Sequence, residues 1–227
     1  MPRTLVPLLA ALLVLGGCGD ERAQSVPAAG AATAPAEEGF VSLFNGKDLS
    51  GWEGNPSVWR VEDHTIVGGS LNGNPRNEFL ASTASYHDFI LRLDYKLTGT
   101  SGFINSGVQL RSQRLKEPAN EMIGYQADIG VGYTGSIYDE SRRKKTIAPA
   151  DAAQIKRLEK LGDWNHYEVR ARGRNVVVVL NGEVTVDYTE PDTTLAQEGY
   201  FGLQIHGGAK SEVRFRDIRI QVLQPEQ

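Results

Sequence analysis

Three short segments carry large planar polar side chains at alternate positions: Gln109 and Arg111, Gln126 and Asp128, Gln204 and His206. The positions between and beside them are apolar: Val108 and Leu110, then Tyr125, Ala127 and Ile129, then Phe201, Leu203 and Ile205. Alternation with a period of two describes a strand with one face on a core, so the polar pairs project from the opposite face. Strands facing plain solvent usually carry Lys, Glu, Thr or Ser there. Amides, a guanidinium, a carboxylate and an imidazole offer paired donors and acceptors instead. If the three strands share a sheet, they build a polar patch on its exposed face, suited to a polyhydroxylated ligand. The competing expectation is that these groups satisfy one another and nearby loop backbone.

The elements that would position them are almost all strands. Phe89, Leu91, Leu93, Tyr95 and Leu97 alternate with polar residues. Tyr167, Val169 and Ala171 form another strand, and Val213, Phe215, Ile218, Ile220 and Val222 close the chain. Val176 to Leu180 is continuously apolar and runs into Asn181-Gly182, a tight hairpin turn leading to Val184 to Tyr188. Only Asp151 to Leu161 has helical spacing, through Ile155, Leu158 and Leu161. Many short strands with one small helix in a connecting loop predict an all-β, two-sheet antiparallel sandwich.

Composition fits this and removes other classes. The chain has 227 residues, 40% apolar and 23% charged, which excludes collagen-like, coiled-coil and multi-span membrane proteins. A net charge of −4 gives no electrostatic reason for nucleic-acid binding. The one cysteine excludes an internal disulfide framework and a cysteine-based zinc cluster. It sits at position 18, after Arg3 and an apolar stretch from Leu5 to Leu15. That stretch has the length of a signal-peptide core and is too short to span a bilayer. Leu15-Gly16-Gly17-Cys18 resembles the bacterial lipobox, which implies lipidation at Cys18, a membrane anchor, and a periplasmic or cell-surface location. Residues 1–18 read as the lipoprotein signal peptide, and 19–38 as a disordered Ala-, Pro- and Glu-rich tether. That segment has too few apolar residues to offset its chain entropy. The folded domain is expected at 39–223.

A family resemblance covers nearly all of that domain. The opening GFVSLFNGKDLSGWEG (Gly39 to Gly54) and the late GYFGLQIHGG (Gly199 to Gly208) resemble the 3-keto-disaccharide hydrolase domain family. Between them, in order, come WRVEDHTIVGG, YHDFILRLDYKL, NSGVQLR, GYQADIG, GSIYDE and DWNHYEVRARGRNVVVVLNG. The resemblance implies a concanavalin A-like jelly roll of two sheets. His64 departs from the pattern, standing where the family usually has Gly in a turn.

Sandwiches of this kind also host ordinary glucanases, whose motif places acids at i, i+2 and i+5 of one strand. Here those positions are Gln126, Asp128 and Val131, so two acids are missing. A 3-keto sugar relaxes the requirement. Its ketone acidifies the C2 proton, whose removal gives an enolate that expels the glycosidic oxygen, and water then adds. That route needs one base, one electrophile for the enolate and hydrogen bonds to position the ring. In this reading His206 is the base, Arg111 stabilises the enolate, and Asp128 assists. Gln109, Gln126 and Gln204 bind the sugar, with Tyr133 and Tyr138 stacking on it and Glu78 contributing from a neighbouring strand. Asp128 and His206 could alternatively hold a divalent metal. Arg111 could instead pair with Asp128 as a structural ion pair. Trp52, Trp59 and Trp164 read as packing residues, and Arg142 to Lys145 as a solvated loop that could rim the site. The expected activity is cleavage of 3-keto-glycosides, supplied by an upstream sugar 3-dehydrogenase. The alternatives are a non-catalytic, lectin-like carbohydrate-binding module and a domain with no small ligand.

Overall fold

The computed structural model describes residues 39–224. The expected signal peptide (1–18), tether (19–38) and lipid anchor on Cys18 lie outside the described residues. Among the described residues no helix is long and apolar enough to cross a membrane.

The alternating segments form strands throughout. In chain order they are β1 (Val41–Ser42), β2 (Trp52–Glu53), β3 (Trp59–Glu62), β4 (Thr65–Asn74), β5 (Glu78–Tyr86), β6 (Phe89–Gly102), β7 (Asn105–Arg114) and β8 (Met122–Gly130). There follow β9 (Ile137–Glu140), β10 (Lys145–Ala148), the helix α1 (Ala152–Leu158), β11 (Asn165–Arg172), β12 (Asn175–Leu180), β13 (Glu183–Thr189), β14 (Gly199–Ile205) and β15 (Ala209–Val222). They pair into two antiparallel sheets. One runs β13-β12-β11-β6-β15-β4-β3, with β1 also on β15; the other runs β10-β9-β8-β7-β14-β5-β2. The expected all-β two-sheet sandwich of jelly-roll type is the fold observed.

The core lies between the sheets. Phe89, Leu91, Leu93 and Tyr95 of β6 and Tyr167, Val169 and Ala171 of β11 share one cluster with Val108 and Leu110 of β7 and Tyr125, Ala127 and Ile129 of β8. Burying a large apolar side chain contributes about 1.5–3 kcal/mol. A one-residue slip in any strand would turn its apolar row outward, so the alternation sets the register. In β15 the pattern changes phase between Phe215 and Ile218. A bulge there, with Asp217 at φ 52°, inserts the residue that brings Ile218 and Ile220 back to the core.

The turns follow residue chemistry. Asn181 and Gly182 have φ of 49° and 89°, the two positive values that a tight β12–β13 hairpin requires. The two-residue turn between β3 and β4 has Asp63 at 47° and His64 at 58°, which puts His64 in a conformation glycine adopts freely. The helix is shorter than its spacing predicts. Asp151 caps it by accepting from the Gln154 backbone N–H at 2.7 Å, and the helix stops at Leu158. Ile155 and Leu158 pack on the core while Leu161 lies exposed beyond the helix. Trp52 and Trp59 are buried, and Trp164 stacks under the Arg216 guanidinium at 4.0 Å.

Candidate functional site

The three polar strands are neighbours in one sheet, in the order β8-β7-β14, with β9 beyond β8. Gln109 lies opposite Gln126 on one side and Gly202 on the other, Gly107 lies opposite Asp128 and Gln204, and Tyr138 of β9 lies opposite Gln126. Two of these positions need glycine. A Cβ on Gly107 would come within 2.5 Å of the Gln126 Cδ, and one on Gly202 within 2.3 Å of the Met122 Sδ. Long side chains therefore lie flat across the sheet. The patch is closed over rather than spread to solvent as the alternation implied. Gln109, Gln126, Asp128 and Gln204 are all at most 2% exposed.

A cavity of about 230 Å³ remains open above them. Drug-sized ligands occupy about 300–1,000 Å³, so this space suits a single ring. Asn105, Gln126 and Asp128 line it from β7 and β8, and Tyr138 and Glu140 from β9. Phe103, Tyr133 and His206 line it from the connections at the strand ends.

Asp128 is the deepest charge-bearing group. Its Oδ1 accepts from the Gln126 Nε2 at 2.9 Å and from the Asn105 Nδ2 at 3.4 Å. Burial disfavours its anion more than these amides favour it, and with the Glu140 charge nearby its pKa rises to about 7. Glu140 behaves alike. Burial and the Glu121 carboxylate push it up to about 7, against a hydrogen bond donated by the Gln204 Nε2 at 3.1 Å. Two acids that charge near neutrality in one cavity can act as a proton donor and a proton acceptor in the same turnover.

His206 follows directly on β14. Its Nδ1 lies 2.7 Å from the Gly207 carbonyl oxygen. A carbonyl only accepts, so Nδ1 carries the proton, and in the neutral ring Nε2 keeps a free lone pair. Phe103 holds the imidazole edge-on, with ring centroids 4.7 Å apart at 77°, and makes a similar contact with Tyr133 at 5.5 Å and 87°.

The cavity thus gathers Asp128, Gln126, His206, Tyr133 and Tyr138. Gln109 and Gln204 lie beneath, hydrogen-bonded to Gln126 and to Glu140. Two expected residues are elsewhere. Arg111 sits at φ 49° in a bulge between Leu110 and Gln113, which turns its side chain off the polar face. Its buried guanidinium donates to the carbonyls of His87 (2.7 Å) and Gly173 (2.6 Å), to Gln197 Oε1 (2.8 Å) and to Asp88 (2.9 Å). It meets neither the cavity nor Asp128, so the structure does not bring it to the expected site. Glu78 pairs in register with the core residue Ile205 and lines a separate cavity, held by Arg76 at 2.8 Å and Asn55 at 3.1 Å. Of the basic run, Arg142 binds Asp139 and Arg143 clamps the buried Glu190 with two bonds of 2.9 and 2.7 Å. Glu140, Asn105 and Phe103 escaped the sequence reading. Only Glu140 carried a signal, through its alternation with Tyr138.

The idea of a metal on Asp128 and His206 meets a donor set of two. Among the described residues no three His, Cys, Asp or Glu side chains converge to hold an ion, and the Asp128 Oδ1 already accepts from two amides. The residues do not fit a protein-held cation.

A model of the 3-keto-alpha-glucoside-1,2-lyase-like domain matches residues 39–221. A Bacteroides thetaiotaomicron protein named 3-keto-disaccharide hydrolase is 24% identical over 234 residues, covering 82% of this chain and 79% of its own. A candidate glycosyl hydrolase from Parabacteroides distasonis is similar in structure, with a TM-score of 0.61 and 25% identity over 81% of this chain and 99% of that one. The carbohydrate-binding module CBM66 from Bacillus subtilis shares the fold, with a TM-score of 0.56 and 17% identity over 74% of this chain and 94% of that one.

Proposed function

The chain belongs to the 3-keto-alpha-glucoside-1,2-lyase-like domain family, and from that premise we propose that it cleaves 3-keto-glycosides in the Asp128–Glu140–His206 cavity. At the coarser level it is a carbohydrate-active, 3-keto-disaccharide-hydrolase-like protein. The observation that carries the finer reading is the pairing of two carboxyls shifted to about 7 with an imidazole whose Nε2 is free.

His206 Nε2 takes the proton from C2, and the C–H electron pair becomes the enolate of the C3 ketone. Asn105 and Tyr138 donate to that oxygen, the role first expected of Arg111. The enolate collapses to a C1–C2 double bond and breaks the C1–O bond. The carboxyl in its acid form protonates the departing oxygen, and the second sugar leaves. Water then adds at C1, its proton returns to the carboxylate, and C2 regains a proton from His206 after the ring has exchanged its proton with solvent. The sum is hydrolysis, with both catalytic groups restored.

A second reading rests on the same carboxyl pair: Asp128 and Glu140 could hydrolyse an unoxidised glycoside as acid and base. One experiment separates them. Purified protein is incubated in D2O with a 3-keto-disaccharide or its unoxidised parent, with and without divalent metal or chelator. The expected result is release from the keto sugar alone, with deuterium at C2 of the product. Release from the parent without C2 label supports the ordinary glycosidase. Saturable binding without release from either supports a lectin-like module. We also propose lipidation at Cys18, tested by fatty-acid labelling that Cys18→Ala abolishes.

A further inference from the structure

Beneath the cavity runs a chain of three hydrogen bonds with one direction. Ser112 Oγ donates to Gln109 Oε1 at 2.6 Å, Gln109 Nε2 donates to Gln126 Oε1 at 3.0 Å, and Gln126 Nε2 donates to Asp128 Oδ1 at 2.9 Å. All four side chains are at most 2% exposed, so water does not compete along the chain. We propose that Ser112 and Gln109, which do not line the cavity, are positioning residues that set the orientation and charge of Asp128 through Gln126. The inference rests on the reading that places Asp128 in the reaction.

The direction follows from the end group. An ionised carboxylate only accepts, so it requires the Gln126 N–H. Gln126 Oε1 then faces Gln109 and requires its N–H, and Gln109 Oε1 faces Ser112. A protonated Asp128 that gave its O–H to Gln126 Oε1 would reverse every link. Gln109 Nε2 would then donate to Ser112. Ser112 can take either part, because its own proton has a second acceptor in the Leu110 carbonyl at 3.0 Å. The backbone makes room at both ends. A Cβ on Gly124 would stand 2.3 Å from the Ser112 Oγ, and one on Gly107 2.5 Å from the Gln126 Cδ. The other titratable groups around Asp128 are Glu140 and Tyr138 from β9, Tyr133 from the loop after β8 and His206 after β14. Tyr167 of β11 donates to the Asp128 main-chain oxygen at 2.9 Å. None of them hydrogen-bonds the Ser112 or Gln109 side chain, and the hydrogen-bond route from these two to Asp128 runs through Gln126.

The test uses Gln109→Met, which keeps the volume and removes the hydrogen bonds, and Ser112→Ala. The side-chain carboxyl of Asp128 is titrated by 13C NMR in the full chain, and sugar release from a 3-keto-disaccharide is measured across pH. For Gln109→Met the titration midpoint should rise by about half to one pH unit, with the basic limb of activity following it. Its kcat should fall about tenfold while KM stays within twofold. Ser112→Ala should shift both in the same direction by less. An Asp128 midpoint and pH profile that stay unchanged in both variants overturn the proposal; if Gln109→Met fails to fold, Ser112→Ala decides by the same readings. If the wild type releases no sugar, the titration still decides: a shifted midpoint upholds the positioning role and removes only the assigned reaction.

Discussion

The two sheets bury their inner faces alike and treat their outer faces in opposite ways. On the face built by β3, β6, β11 and β15, acids meet cations. Glu62 and Glu212 share Arg60 and Arg214, Glu168 lies between Arg92 and Arg170, and Asp94 meets His166 and Arg216. Hydrogen bonds from Arg60 and Arg214 hold Glu62 below its ordinary pKa. At Asp94 burial pushes upward, but His166 and Arg216 outweigh it. On the face of β7, β8, β9 and β14 the acids meet amides and one another, burial prevails, and Asp128 and Glu140 rise to about 7. Arg111, the guanidinium that the alternation would aim at this face, is turned by a bulge onto Asp88. One face spends its acids on ion pairs; the other buries them without a cationic partner.

Removing the carboxyls should have the largest effect. Asp128→Asn and Glu140→Gln should each lower sugar release by about 10²–10⁴-fold, the usual range for a positioned proton-transfer group, with no loss of melting temperature. Ion-pair faces should show the reverse, so a melting scan beside each activity assay checks the contrast.

Stability should report the same difference. Asp128 has a raised pKa in the folded chain, about 7 against the ordinary 3.8, so the native state binds more protons than the unfolded state between those values. The cost of burying its charge is therefore absent below about pH 4, grows through the interval and is complete above about pH 7. Asp128→Asn removes that cost. The variant should exceed the wild type by up to about 4 kcal/mol at pH 8 and match it at pH 4, as read by denaturant unfolding. An advantage equal at both pH values would contradict a buried, ionising Asp128.

On the paired face, Glu168→Ala removes the carboxylate that Arg92 and Arg170 share, at a site only 4% exposed. It should cost about 2 kcal/mol in unfolding free energy and leave activity per folded molecule unchanged. Phe103→Ala, which frees one side of the His206 ring, should lower kcat several-fold without changing stability by more than about 1 kcal/mol. Arg214→Ala, at a partly solvated pair, should be smallest. A loss under about 1 kcal/mol that shrinks further in high salt is expected.

The fold was readable because its signals are local. Period-two alternation in β6, β8 and β14 names the core face residue by residue, and Asn181-Gly182 names a hairpin by its backbone needs. Even the phase change in β15 is visible as the step from Phe215 to Ile218. The candidate cavity was readable in outline for the same reason, since its lining residues Gln126, Asp128 and His206 follow from parity. Parity also misled. It aimed Arg111 at the cavity, because an inserted residue that reverses a strand's facing leaves no mark in an otherwise regular alternation. It passed over Glu140, whose alternation with Tyr138 spans a strand of only four residues and so stands out weakly.

From the order of its residues alone, this protein's sandwich, its core and the strands bearing its polar groups were determined, since each depends on neighbours in sequence. Which acids share a cavity, which arginine is excluded from it and which amides hold Asp128 depended on contacts between strands far apart in the chain. Those contacts decide burial and charge pairing, and it is burial without a cationic partner that brings Asp128 and Glu140 to a pKa near neutrality.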